Sequence, residues 1–94
     1  MAFVRLAFFP GGTAAQYDAL AAEVDRTPVP PDRLLLAAGP VDGGWQVVQV
    51  WHSRQALEAF NGAVLLPALQ RLGARGFPAP PQVTDLEPAV LELR

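Results

Sequence analysis

The sequence predicts an α+β fold: a four-stranded antiparallel sheet with two helices on one face, in the chain order βαββαβ. Three observations carry this reading. There are four short aromatic and aliphatic runs, two stretches between them with a period near 3.6, and turn or proline-rich punctuation at every junction. This is the split βαβ order, in which both helices land on the same side of the sheet.

Phe3 to Phe9 is aromatic and aliphatic apart from Arg5 and stops at Pro10-Gly11-Gly12, which reads as a strand and a turn. Thr13 with Gln16 three residues on forms a capping box, and Tyr17, Leu20, Ala21 and Val24 follow as a helical stripe to about Asp25. Three prolines between Thr27 and Asp32 cannot donate to a helix or a ladder, so that segment is a connector. Arg33 to Gly39 and Trp45 to Trp51 are strands joined across Asp42-Gly43-Gly44 as a hairpin. Ser53 caps a second helix through Leu57, Phe60, Val64 and Leu65, and Pro67 predicts a kink, or a break near Asn61-Gly62, with a shorter piece running to Leu72. After the connector Phe77 to Pro81, Gln82 to Glu87 is the fourth strand. Pro88 limits it, and Ala89 to Leu93 either extend it or cross to a partner.

At 94 residues, with 51% hydrophobic and 17% charged residues, the chain suits one globular domain over residues 1–94. It contains no cysteine, which excludes disulfides, thiolate metal sites and a cysteine nucleophile. With one histidine and no clustered carboxylates, no metal site is expected, and no cofactor is called for. Seven basic residues, all Arg, against nine acidic ones give a net charge of −2, so no nucleic-acid partner is expected. No apolar run approaches the roughly 20 residues of a membrane span, and the N-terminus lacks the order of a signal peptide. The expected location is cytoplasmic, with no membrane partner.

The strands are apolar on both parities. Strand three has Trp45, Val47 and Trp51 on one and Val48 and Val50 on the other, while strand one sets Val4, Leu6 and Phe8 against Phe3, Ala7 and Phe9. An antiparallel sheet with one wet face should alternate apolar with polar residues instead. Two helices cover one face only, so the other predicts a homodimer packed sheet to sheet. Burying roughly 800 Å² per chain contributes on the order of 20 kcal/mol at about 25 cal/mol per Å², against association costs of about 4–15 kcal/mol.

Two residues stand out as candidates for catalysis. His52, the one histidine, lies where strand three meets helix two and would suit a general base, or it is a half-exposed neighbour of the Ser53 cap. Arg5 is alone in an apolar strand, so it meets an anionic or enolate ligand or forms a salt bridge, with Asp85 or Glu87 as partners.

Three stretches carry a family resemblance: Val4 to Thr13, the hairpin Asp42 to Trp51, and the capped helix start Ser53 to Phe60. Together they resemble the dimeric α+β barrel superfamily, of ferredoxin-like fold, and within it the antibiotic-biosynthesis-monooxygenase-like branch. The resemblance covers nearly the whole chain as order and hydrophobic pattern, and its specific part is the junction of strand three with helix two. Members of that superfamily oxidise polyketide-like aromatics without metal or flavin, degrade haem, isomerise lactones, or have no known activity. The resemblance therefore implies a cofactor-independent monooxygenase-like homodimer acting on a small aromatic ligand, with Trp51, Trp45 and Tyr17 as an aromatic wall. Aromatics at these spacings also serve as core or dimer seam. The monooxygenases and the haem-degrading relatives place an Asn on strand one, and the haem-degrading ones also use a His on helix two; this chain has neither. The alternative is a non-catalytic homodimer that binds a ligand or a partner protein.

Overall fold

The computed structural model describes residues 1–93. Its elements are β1 (Phe3–Pro10), α1 (Ala14–Val24), β2 (Arg33–Val41), β3 (Gly44–Trp51), α2 (Arg54–Phe60), a π-helical turn (Asn61–Leu65), α3 (Leu66–Leu72), a 3-10 turn (Gly73–Arg75) and β4 (Gln82–Leu86). The strands form one antiparallel sheet in the order β2-β3-β1-β4, the architecture expected from the sequence.

Local chemistry sets the ends of these elements. The capping box is formed, with the Gln16 N–H donating to Thr13 Oγ1 at 3.2 Å and the Thr13 N–H to Gln16 Oε1 at 3.0 Å. Ser53 Oγ accepts from the Ala56 N–H at 3.1 Å and starts α2. The hairpin closes through Asp42 and Gly43, and only Gly43, at φ 83°, uses the left-handed region. Pro67 produces neither a sharp break nor a straight helix: the backbone passes from α2 to α3 through the π-helical turn, which begins at Asn61. Ala89 to Leu93 add no strand to the sheet within this chain.

Among the described residues, nine of the ten buried hydrophobic ones form three clusters, and Val50 stands apart from them. Phe3, Trp51 and Leu57 make one, Ala7, Trp45 and Val47 a second, and Leu20, Ala68 and Leu72 a third between α1 and α3. The helices are also tied by charge. Arg71 Nε donates to Glu23 Oε2 at 3.0 Å, with Arg26 and Arg75 at 3.3 and 3.8 Å from the same carboxylate, and the Arg71 bond lowers the Glu23 pKa.

On the sheet face turned away from the cavity described below, Val4, Leu6, Phe8 and Val48 are only half-buried, and Leu35, Val41 and Leu86 are exposed. Among the described residues no helix is long and apolar enough to cross a membrane.

Candidate functional site

A cavity of about 250 Å³ lies between the sheet and the helices. Its floor follows from strand register. One rung crosses all four strands as Asp85, Arg5, Gln49 and Leu36, and the next runs Val83, Ala7, Val47 and Ala38. Short side chains at Ala7 and Val47 leave space between the bulky pairs Phe3 with Trp51 and Phe9 with Trp45, which face each other across β1 and β3. The roof comes from α1 through Tyr17, Leu20 and Val24 and from the other helical segment through Phe60, Asn61 and Leu65.

Arg33 and Leu36 both line the cavity although an uninterrupted strand would put them on opposite faces. A register shift between Arg33 and Leu35 is the reason: one extra residue flips the parity, as a β-bulge does.

The polar part of the floor is fixed by two sets of contacts. Arg5 Nε and Nη2 donate to the two Asp85 carboxylate oxygens at 2.8 and 2.9 Å, a bidentate pair that is about three-quarters buried on both sides. This contact raises the pKa of the Arg5 guanidinium and lowers that of the Asp85 carboxyl. Trp51 Nε1 donates to Gln49 Oε1 at 2.9 Å, which occupies the amide oxygen and leaves the Gln49 NH₂ as the free end. Arg5 and Gln49 are direct cross-strand partners, so the floor presents their remaining N–H groups side by side. Burial pushes the Tyr17 hydroxyl pKa up, so it is a neutral O–H at pH 7.

The structure separates the residues singled out from the sequence. Arg5 and Tyr17 line the cavity. Trp51, 1% exposed, lies in the core beside it with Phe3 and Leu57. Trp45 is buried, with its ring centroid 5.2 Å from that of Tyr17 and its indole N–H without a partner, and it is not among the lining residues. His52 is exposed at the β3–α2 junction, its backbone N–H donating to the Asp32 carbonyl at 2.8 Å, and it too is outside the lining.

Gln49, Asn61, Arg33 and Asp25 line the cavity without having been expected from the sequence. A signal existed for Gln49, a polar residue inside an apolar strand just as Arg5 is. None existed for Arg33, whose orientation depends on the bulge. Among the described residues no group of three His, Cys, Asp or Glu side chains is placed to hold a metal ion.

The sequence matches no protein-family model and no curated protein. Solved structures match over nearly the whole chain. A provisionally assigned antibiotic biosynthesis monooxygenase from Caulobacter crescentus is 18% identical with a TM-score of 0.72, over 95% of this chain and 91% of that one. A variant of SnoaB, a cofactor-independent oxygenase from Streptomyces nogalater, is 14% identical with a TM-score of 0.65, over 96% and 94%. A dimeric ferredoxin-like protein of unknown function from Jannaschia is 18% identical with a TM-score of 0.63, over 93% and 99%. At these identities the likeness establishes the fold: the chain has the ferredoxin-like α+β fold of the antibiotic-biosynthesis-monooxygenase-like proteins.

Proposed function

We propose that this chain is a homodimer whose cavity binds a small aromatic or polyketide-like molecule and oxidises it in the manner of a cofactor-independent monooxygenase. The observation that carries the reading is the donor-rich rung of Arg5 and Gln49 on the floor of a cavity whose remaining lining is mostly apolar, with Tyr17, Asp25, Arg33 and Asn61 as its other polar residues. Fixed N–H donors in a water-poor site stabilise an oxygen on which negative charge develops, at little reorganisation cost. A phenolate or enolate held there is electron-rich enough to reduce dioxygen directly. For an anthrone-type substrate, a ring CH₂ and O₂ become a C=O and water, the substrate itself supplying the electrons.

Tyr17 and Phe60 suit the faces of a planar ligand, and Asp85 and Trp51 act behind the floor by holding Arg5 and Gln49. His52 stands outside the lining, so this reading gives it no proton step. Support for the homodimer comes from the half-buried and exposed apolar residues on the opposite sheet face and from the dimeric protein of the same fold.

One observation favours a second reading, a ligand-binding module without chemistry of its own: among the described residues Asp25 is the only carboxylate lining the cavity, and no imidazole lines it. Oxygen uptake with an anthrone-type substrate separates the two readings. Turnover that is lost in Arg5→Met and Gln49→Leu and kept in His52→Ala supports the enzyme. Binding without oxygen uptake supports the module, and no binding at all removes both.

A further inference from the structure

We infer that Asn61 is a ligand-orienting residue of this cavity, held on its wall where α2 passes into the π-helical turn. The inference rests on the reading that the cavity binds a small molecule, and it adds what that molecule must carry on its helix-facing edge.

In an uninterrupted α-helix, Pro67 would leave the Ala63 carbonyl without its donor and would press its ring against it. The chain avoids this by widening the preceding turn. The Leu66 N–H reaches back five residues to the Asn61 carbonyl, and α-helical pairing resumes in α3. Asn61 itself is still paired as in α2, its N–H donating to the Leu57 carbonyl. Phe60, Asn61 and Leu65 line the cavity and Val64 does not.

Asn61 is out of place there as a packing residue. The helix side of the lining is mostly apolar, with Leu20, Ala21, Val24 and Leu65 beside the polar Tyr17 and Asp25, and Asn61 is half-buried. Its side-chain amide makes no hydrogen bond among the described residues. The amide is open to the cavity rather than sealed in the wall, so its donors and its acceptor are available to whatever occupies that space. Its chemistry complements the floor. Arg5 and the free end of Gln49 only donate, whereas Asn61 both donates and accepts. The geometry points to a flat ligand with oxygen on two opposite edges, an acceptor on the sheet side and a hydroxyl or carbonyl on the helix side.

Two stable probes test this by fluorescence titration: 2,6-dihydroxynaphthalene, with oxygen at both ends, and 2-naphthol, with oxygen at one. Wild type should bind the diol about tenfold more tightly, the effect of one well-made hydrogen bond. Asn61→Leu should erase that preference while keeping or improving 2-naphthol affinity.

In the wild type, the Asn61 side-chain amide resonances should shift with the diol and stay with 2-naphthol. That readout does not depend on a variant folding. Equal affinity of wild type for the two probes, a preference that survives Asn61→Leu, or an amide that ignores the diol overturns the role of Asn61 while leaving the cavity reading intact. Failure of wild type to bind either probe removes the cavity reading and this inference with it.

Discussion

Trp51 and Gln49 share one face of β3 and are joined by a hydrogen bond of 2.9 Å from the indole Nε1 to the amide oxygen. Trp51 is 1% exposed, so its ring is fixed by packing, and the bond transmits that rigidity to a side chain at the cavity floor. Trp51→Phe keeps an aromatic ring but removes the donor. It should cost about 1–3 kcal/mol in stability, from the lost bond and the space left by the smaller ring. It should also weaken ligand binding although Trp51 does not line the cavity. In a double-mutant cycle with Gln49→Leu, binding losses that simply add would show that the two residues act independently.

The Arg5–Asp85 pair makes stability depend on acid. The hydrogen bond from Arg5, outweighing partial burial, lowers the Asp85 pKa in the folded chain. A carboxyl lowered on folding contributes its full stabilisation above its unfolded pKa, about 3.9, and loses it as pH falls through the folded value. Asp85→Asn should therefore cost about 1–2 kcal/mol at pH 7 and progressively less below about pH 4. Urea melts of both proteins across that range give the difference directly. A gap that stays constant from pH 7 to pH 2 would rule out the ion pair as its source.

The βαββαβ order and both helix caps were legible because they depend on neighbours in sequence: Thr13 finds Gln16, and Ser53 finds the Ala56 N–H. Arg5 was legible as an anomaly, and Asp85 is one of the two partners its strand position suggested. The cavity lining was less so, because it depends on register and on two irregularities. The bulge after Arg33 and the π-helical turn before Pro67 each shift a face by one residue. Periodicity assumes that no such residue is inserted, so it would place Leu36 on the face opposite Arg33, and it put Val64 on the same stripe as Leu65. His52 was conspicuous for its chemistry, but its side-chain direction at a strand–helix junction is set by a turn that periodicity does not describe.

The outer sheet face predicts a change of oligomeric state. Val48 sits on a central strand, half-buried, opposite Leu6 and Ala37. Val48→Glu would bury a charge if that face is covered by a second copy and expose one to water if it is not. Sedimentation at micromolar concentration should find wild type at twice the chain mass and Val48→Glu at the chain mass. Wild type at the mass of one chain would end the homodimer reading.

Gly44 tests how tightly the hairpin is drawn against β1. It pairs with Pro10, and a Cβ there would run into the Phe9 carbonyl oxygen and stand 3.0 Å from the Gly11 nitrogen. Both are backbone atoms that no rotamer change can move aside, so Gly44→Ala must push β3 away from β1, costing about 2–3 kcal/mol as overpacking does. Gly43→Ala should cost about 1–2 kcal/mol for a different reason, the left-handed φ of 83°. Gly39→Ala meets no atom within 4 Å and needs no left-handed backbone, so it should be close to neutral. Thermal melts of the three variants should rank them in that order. Because Trp45 follows Gly44 and its ring centroid is 5.2 Å from that of Tyr17, Gly44→Ala should also disturb the cavity, and a fall in probe affinity should accompany its loss of stability. Gly44→Ala melting with Gly39→Ala would mean that the strands can separate at that point without cost, and that the hairpin does not fix the position of Trp45.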